Sequence, residues 1–275
     1  MSPTLEQRPY GNTGEQVTAV GLGAASLAKY SVADGEATVR RALELGISYF
    51  DTSPQYGWSA SQVILGMALE GRTESYLLAT KLGYMASPRD FRSPDALRTQ
   101  LWENLRSLRR KRVDVLQVHM AEWACWWEEG ASDGQLLNTN ESYDFANAPV
   151  MQVLREAREQ GLCRFIGITG DVADQVVHVL RDVDVDACLI AYNSNLLFRR
   201  SLQEAIPLAR QKGAAFVSAG VLHPGFPGFA KTDWLDTPPA WVTPEVRSRL
   251  AKLYDLQRDS GLSMMDLAVR YPLAN

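Results

Sequence analysis

The 275-residue chain has few of the residues that staple or metallate a fold. It carries 3 cysteines (Cys125, Cys163, Cys188) and 3 histidines, and no CxxC spacing. An odd number of widely spaced thiols does not make a disulfide framework and fits a reducing, cytoplasmic compartment. So few histidines and cysteines offer no convincing metal-ligand set. No apolar run approaches the ~18 residues that a membrane span requires, and residues 2–10 are polar and charged, unlike a signal peptide. Positive charge is not in excess: 28 Lys+Arg against 32 Asp+Glu leaves a net −4, which argues against a nucleic-acid partner. The densest basic run, Arg106 to Arg112, falls at a helix C-terminus, where cations complement the dipole.

What is present is an ordinary globular composition, with 46% hydrophobic and 22% charged residues. A chain of this size buries a core without disulfides or metals, and residues 1–275 read as one barrel-sized domain. Seven short apolar runs, at 17–21, 49–53, 76–83, 113–119, 165–170, 187–193 and 214–220, lack clean period-two alternation. Strands covered on both faces read this way, so a parallel sheet is expected. Helix signals lie between them. Ser93-Pro94 is an N-cap and first-turn pair, followed by a stripe of Leu97, Leu101, Leu105 and Leu108. Gly46, Gly71, Gly161 and Gly213 each follow a helical run. Thr243-Pro244-Glu245 opens a further helix, and Ser263 caps the last one.

Alternating β and α elements of this number predict an α/β (β/α)8 TIM barrel. The last strand and helix are expected to be absent, because the sequence stops at Asn275 just after a helix. An open dinucleotide-binding sheet has weaker support, since Gly21-Leu22-Gly23-Ala24-Ala25-Ser26 holds only the first two glycines of GxGxxG.

A barrel builds its site at the strand C-termini. Asp51 and Tyr56 follow the second run, Lys81 ends the third and His119 ends the fourth. Together these types form a proton-transfer device. An ammonium at Lys81, held by the Asp51 carboxylate, favours the Tyr56 phenolate and lowers the phenol pKa. The phenol then protonates a developing alkoxide, or the phenolate accepts an alcohol proton. His119 hydrogen-bonds the substrate oxygen or helps relay its proton. Lys81 sits in an otherwise apolar strand, so it needs a partner, and Asp51 is the nearest candidate.

Tyr10-Gly11-Asn12-Thr13-Gly14, Phe50-Asp51-Thr52-Ser53 with Tyr56-Gly57, Ala79-Thr80-Lys81, Asp114-Val115-Leu116-Gln117-Val118-His119 and Arg164-Phe165-Ile166-Gly167-Ile168-Thr169-Gly170 resemble successive motifs of the aldo-keto reductases. Within that superfamily, Asp51-Thr52-Ser53-Pro54 with Tyr56-Gly57, Ile168-Thr169-Gly170 and the late Arg270-Tyr271-Pro272-Leu273-Ala274-Asn275 are most similar to the L-galactose, L-fucose and D-threo-aldose dehydrogenase branch. The resemblance implies oxidation of aldoses with NAD or NADP. It also implies Tyr56 as general acid/base, Lys81 and Asp51 as its tuning partners, and His119 as the substrate-oxygen contact. For the dinucleotide it implies Gly23, Ala24, Asp51, Thr169, Ser218, Gly220, Leu222 and Gly225. Gly170 stands where the family usually has Asn, Leu189 where many members have Gln, and Ala219 where a stacking Tyr is common.

The connection after His119 is longer than that branch usually carries. Trp123, Trp126 and Trp127 in it, with Trp58, are candidates either for packing and a lid or for stacking on a sugar. The partner implied throughout is a small-molecule sugar or carbonyl compound, not a nucleic acid or a membrane. Two other outcomes of the same residues are an epimerase or lyase using a transient oxidation, and a non-catalytic nucleotide-binding regulator.

Overall fold

The computed structural model describes residues 5–222 and 231–274. Strands β1 (Gln7–Pro9) and β2 (Gln16–Thr18) pair as an antiparallel hairpin. Seven parallel strands follow: β3 (Leu22–Gly23), β4 (Tyr49–Asp51), β5 (Leu77–Leu82), β6 (Val115–Val118), β7 (Phe165–Gly170), β8 (Ala187–Ala191) and β9 (Ala215–Ala219). They neighbour one another in chain order, β3 through β9. This is the nearly closed sheet of a (β/α) barrel.

Six of the seven apolar runs contain the barrel strand expected of them. The run at 17–21 does not. Its first residues belong to the hairpin, and the barrel strand begins only at Leu22. The physical reason is the barrel floor: Tyr10 and Val17 bury against Tyr49, Leu77, Val115 and Ala187 inside the barrel. The hairpin therefore spends its apolar residues plugging the N-terminal end. Its turn is docked by the Asn12 N–H, which donates to Gly213 O at 2.8 Å. Gly11, at φ +57, lies so close to Ala215 that a Cβ would meet its backbone nitrogen at 2.5 Å. Only glycine combines that left-handed backbone with that approach.

Helices α1 (Val32–Glu44), α2 (Ala60–Leu69), α3 (Pro94–Ser107), α4 (Pro149–Glu159), α5 (Ala173–Asp182), α6 (Arg200–Gln203) and α7 (Ala205–Lys212) alternate with the strands, and α8 (Pro244–Ser260) and α9 (Met264–Leu273) follow. Local signals set their ends. Ser93 Oγ accepts the Ala96 N–H at 3.3 Å, and Leu97, Leu101 and Leu105 are buried on one face of α3. Thr243 and Ser263 cap α8 and α9 in the same way.

Strand pleating sorts the core into two layers. Tyr49, Leu77, Ala79, Val115, Ala187 and Ala215 point into the barrel, whereas Phe50, Leu78, Leu116, Ile166, Ile168 and Ile190 pack outward against the helices. All three cysteines are buried free thiols. Among the described residues no helix is long and apolar enough to cross a membrane.

Candidate active site

The inward alternation that builds the floor also builds the rim. From Tyr49 it reaches Asp51, from Leu77 and Ala79 it reaches Lys81, and from Val115 it reaches Gln117. These three polar side chains therefore meet inside the barrel, near the C-terminal ends of β4, β5 and β6. Lys81 Nζ donates to Asp51 Oδ1 and, at 2.8 Å, to Thr52 O. Gln117 Nε2 donates to the other carboxylate oxygen, Asp51 Oδ2, at 3.0 Å. The Lys81 side chain is 1% exposed. Burial works to discharge its ammonium, but Asp51 and Tyr56 outweigh burial and hold its pKa above the ordinary lysine value.

Tyr56 lies above this pair, its ring centroid 5.0 Å from Lys81 Nζ. The expectation that Lys81 takes the phenol below its ordinary pKa is corrected. Burial raises the Tyr56 pKa, Lys81 pulls it back, and the balance remains raised. The protonated phenol is thus the resting form, and Lys81 limits the cost of ionising it.

His119 stands edge-on to Tyr56, with ring centroids 5.9 Å apart. Burial, reinforced by Lys81, lowers its pKa well below the usual value, so its imidazole is neutral. Ser53 Oγ lies 3.0 Å from His119 Nδ1 and accepts the Gln55 N–H at 3.1 Å. Where the Ser53 hydroxyl gives its one proton to Nδ1, the imidazole proton sits on Nε2, which is then a donor.

The tryptophans divide. Trp126 is fully buried against Phe91, and its Nε1–H donates to His119 O at 2.9 Å. Trp127 is buried, and its Nε1–H donates to Ala121 O at 2.7 Å. For these two, stacking on substrate is corrected to packing, because burial leaves neither ring a free face. They are struts that fix the backbone carrying His119. Trp123 is half-buried, 4.9 Å from the ring of Tyr84, which itself lies 4.9 Å from that of His119. Trp58 is 94% exposed at the rim.

The described residues include six non-glycine residues at positive φ. Five of them, Trp58, Ser59, Tyr84, Met120 and Tyr192, lie just beyond the C-terminal ends of β4, β5, β6 and β8. Backbone strain concentrated at one rim is the pattern of a site held in shape by its scaffold.

Of the residues expected at a dinucleotide, Thr169 is buried and donates through Oγ1 to Val118 O at 3.1 Å. Gly23 ends β3, with open space where a Cβ would project. Ala24 is fully buried, so its methyl is packing and cannot reach a ligand. Ser218 Oγ is buried without a partner among the described residues. Gly220, at φ +60, packs against the Tyr192 ring. Leu222 packs against the cluster that joins Leu196 and Leu197 to α8 and α9. Gly225 lies outside the described residues.

The sequence reading did not single out Ser53, Gln117, Tyr84, Glu122 or Asp171. Gln117 was accessible in principle, at two residues of strand period before His119. Glu122 carried no signal. It is fully buried, and its Oε1 accepts the N–H groups of Asp171 at 2.6 Å and Val172 at 3.2 Å. Its Oε2 has no partner among the described residues and fills the space beside Gly170, where a Cβ would overlap Glu122 Oε2 and Val176. The glycine in place of the family's usual Asn is therefore matched by a carboxyl arriving from the β6 loop. Gly170→Ala is expected to cost about 2 kcal/mol by overpacking, read as a lowered midpoint in denaturant unfolding.

Burial pushes the Glu122 carboxyl up from 4.5 to about 7. The folded protein therefore holds a proton there that the unfolded chain has already lost. This contribution is fully present below pH 4.5 and declines as pH rises through 7. Thermal melts of wild type and Glu122→Gln across pH 4.5–8 are expected to diverge with rising pH, by roughly 2–3 kcal/mol in all, with wild type losing the more.

An ion pair and a phenol meet at the C-terminal mouth of a parallel barrel, the end where enzymes of the barrel class build their sites. Comparison with known proteins identifies the family: the sequence from residue 19 to 275 matches the aldo/keto reductase family, and the chain belongs to that family of oxidoreductases. It is 32% identical to L-galactose dehydrogenase of Arabidopsis thaliana, across 98% of this chain and 81% of the relative. It is 27% identical to pyridoxal 4-dehydrogenase of Microbacterium luteolum, across 98% and 85%. It is 24% identical to D-threo-aldose 1-dehydrogenase of a Pseudomonas species, across 94% and 83%. The solved structure of a glycerol dehydrogenase from Gluconobacter oxydans shares the fold, with a TM-score of 0.70 at 23% identity over 98% of this chain and 83% of the other.

Proposed function

We propose that the protein is an NAD(P)-dependent dehydrogenase of sugars or related alcohols, with Tyr56 as the group that exchanges the hydroxyl proton. The observation that carries this reading is the buried ammonium of Lys81, locked between Asp51 and Thr52 O directly beneath the Tyr56 ring. An ion pair this deep in a barrel is costly to desolvate and does not by itself stabilise a fold. Its value lies in tuning the phenol beside it.

The rim suits a nicotinamide dinucleotide. Among the described residues Ser218 Oγ is buried without a partner, and Gly23 has open space where a Cβ would project. Thr169, Ser218 and the glycines at 23 and 220 would hold it. When bound, the nicotinamide supplies the site that accepts or returns hydride. The chain's own residues move the proton. His119 Nε2–H donates to the substrate oxygen and orients it toward the phenol. In the reductive direction Tyr56 gives its proton to the alkoxide that forms, and Lys81 stabilises the resulting phenolate. In the oxidative direction the phenolate takes the proton back. Asp51, steadied by Gln117, keeps Lys81 charged and aimed throughout. Proximity and alignment of the bound reactants supply much of the remaining acceleration.

The names of the relatives support an aldose or similar alcohol as substrate, and leave NAD and NADP as equal choices. The test is a panel of aldoses, glycerol, pyridoxal and simple aldehydes with each dinucleotide, followed by nicotinamide absorbance. Net formation of the reduced cofactor with at least one aldose is the expected result. No change with any member in either direction would remove the reading.

A further inference from the structure

One carboxylate at the rim has no place in the proton relay. Asp171 follows β7, and the alternation that sends Phe165 into the barrel and Ile166 and Ile168 out toward the helices continues through Thr169 to Asp171. Gly170 between them faces outward, toward Val176 of α5 and Glu122. Asp171 is half-buried and fixed by its backbone on both sides. Its N–H donates to the buried Glu122 carboxyl at 2.6 Å, and its C=O accepts from Asn193 Nδ2, also at 2.6 Å.

The groups around it are those of the mouth. Burial raises the hydroxyl pKa values of Tyr56, Tyr84 and Tyr192, and the negative charge of Asp171 adds to each; burial also raises the Asp171 carboxyl above its ordinary value, and Lys81 pulls it back. Lys81 is already satisfied by Asp51 and Thr52 O. No side-chain hydrogen bond or ion pair occupies the Asp171 carboxylate among the described residues. Tyr84 and Trp123, packed ring to ring, supply an aromatic wall beside His119.

We propose that Asp171 is a specificity-determining residue, whose carboxylate accepts hydrogen bonds from the hydroxyls of a neutral polyhydroxy substrate lying against the Tyr84–Trp123 wall and repels substrates that carry a carboxylate or phosphate. A carboxylate is an acceptor-only group with room for two hydroxyl donors, and an aromatic wall takes the apolar face of a sugar ring. The same charge in a partly desolvated mouth penalises an anion. The inference rests on the reading of Tyr56 as the proton-exchanging group at this rim.

The experiment compares wild type with Asp171→Asn on neutral aldoses (L-galactose, L-fucose) and hexuronates (D-glucuronate, D-galacturonate). Two readouts are used: kcat/KM, and the dissociation constant from titration of tryptophan fluorescence. Wild type is expected to favour the neutral sugars. In D171N, kcat/KM for neutral sugars falls roughly tenfold, the loss of one charged hydrogen bond. Hexuronates gain, so the neutral-to-anionic ratio shrinks by more than tenfold. A merely structural defect lowers both classes together and leaves the ratio in place. An unchanged ratio, in turnover and in binding, overturns the inference even when wild type oxidises sugars normally. If wild type turns over nothing, the reading of Tyr56 fails, and the fluorescence titrations alone decide whether Asp171 discriminates by charge. Should D171N melt far below wild type, Asp171→Ser carries the same comparison.

Discussion

Tyr56→Phe is expected to lower kcat/KM by three to four orders of magnitude while leaving dinucleotide affinity within about twofold, on the scale of a lost general acid/base. The substitution removes one oxygen and keeps the ring that stands 5.0 Å from Lys81 Nζ and edge-on to His119. Packing, substrate orientation by His119 and the dinucleotide contacts all survive it. Only the transferable proton is lost. Single-turnover absorbance traces with saturating dinucleotide isolate that step. A residual rate within tenfold of wild type would mean that a water molecule or His119 does the work assigned to the phenol. The neutral imidazole argues against His119, since its pKa lies well below the usual histidine value and it is no reservoir of protons at pH 7.

Lys81→Met is expected to damage both stability and activity. The Asp51 carboxylate would remain inside the barrel with the Gln117 amide as its remaining side-chain donor. Breaking a buried pair by deleting one partner costs about 3–5 kcal/mol, which for a chain of this size is a fall of roughly 10 °C in the thermal midpoint. Adding Asp51→Asn to Lys81→Met is expected to return much of the stability and none of the activity. That asymmetry distinguishes a pair kept for chemistry from one kept for the fold. Single mutants whose stability losses simply add would show that the two side chains do not act as a unit.

The barrel, and the polar side chains that meet at its mouth, were legible because both follow strand periodicity. Short runs rich in Val, Ile and Leu mark strands covered on both faces, and Asp51, Lys81 and His119 are polar residues at the ends of such runs. The run at 17–21 misled because an apolar residue that plugs a barrel floor, such as Val17, looks the same in sequence as one that lines its wall. The tryptophans after His119 presented a similar ambiguity. A sugar platform and a strut have the same composition, and what separates Trp126 and Trp127 from the exposed Trp58 is a hydrogen bond to a carbonyl six or seven residues back, paired with full burial. Glu122 was illegible for a different reason. Its meaning depends on a vacancy at Gly170, a residue 48 positions away in sequence but overlapping in space. Charge balance on Tyr56 was half legible. The partner that lowers its pKa could be named from sequence, whereas the larger opposing effect of burial required coordinates.

The pH dependence of kcat/KM in the oxidative direction, measured for wild type and Lys81→Met, tests the coupling between amine and phenol most directly. In the free enzyme this profile reports the ionisation of the group that must accept the substrate proton. With Lys81 gone, nothing opposes the burial that disfavours the phenolate, so the rise in activity should move to higher pH by a unit or more. A profile that falls in height but keeps its midpoint would contradict the account, because Lys81 would then be holding the fold and not tuning Tyr56.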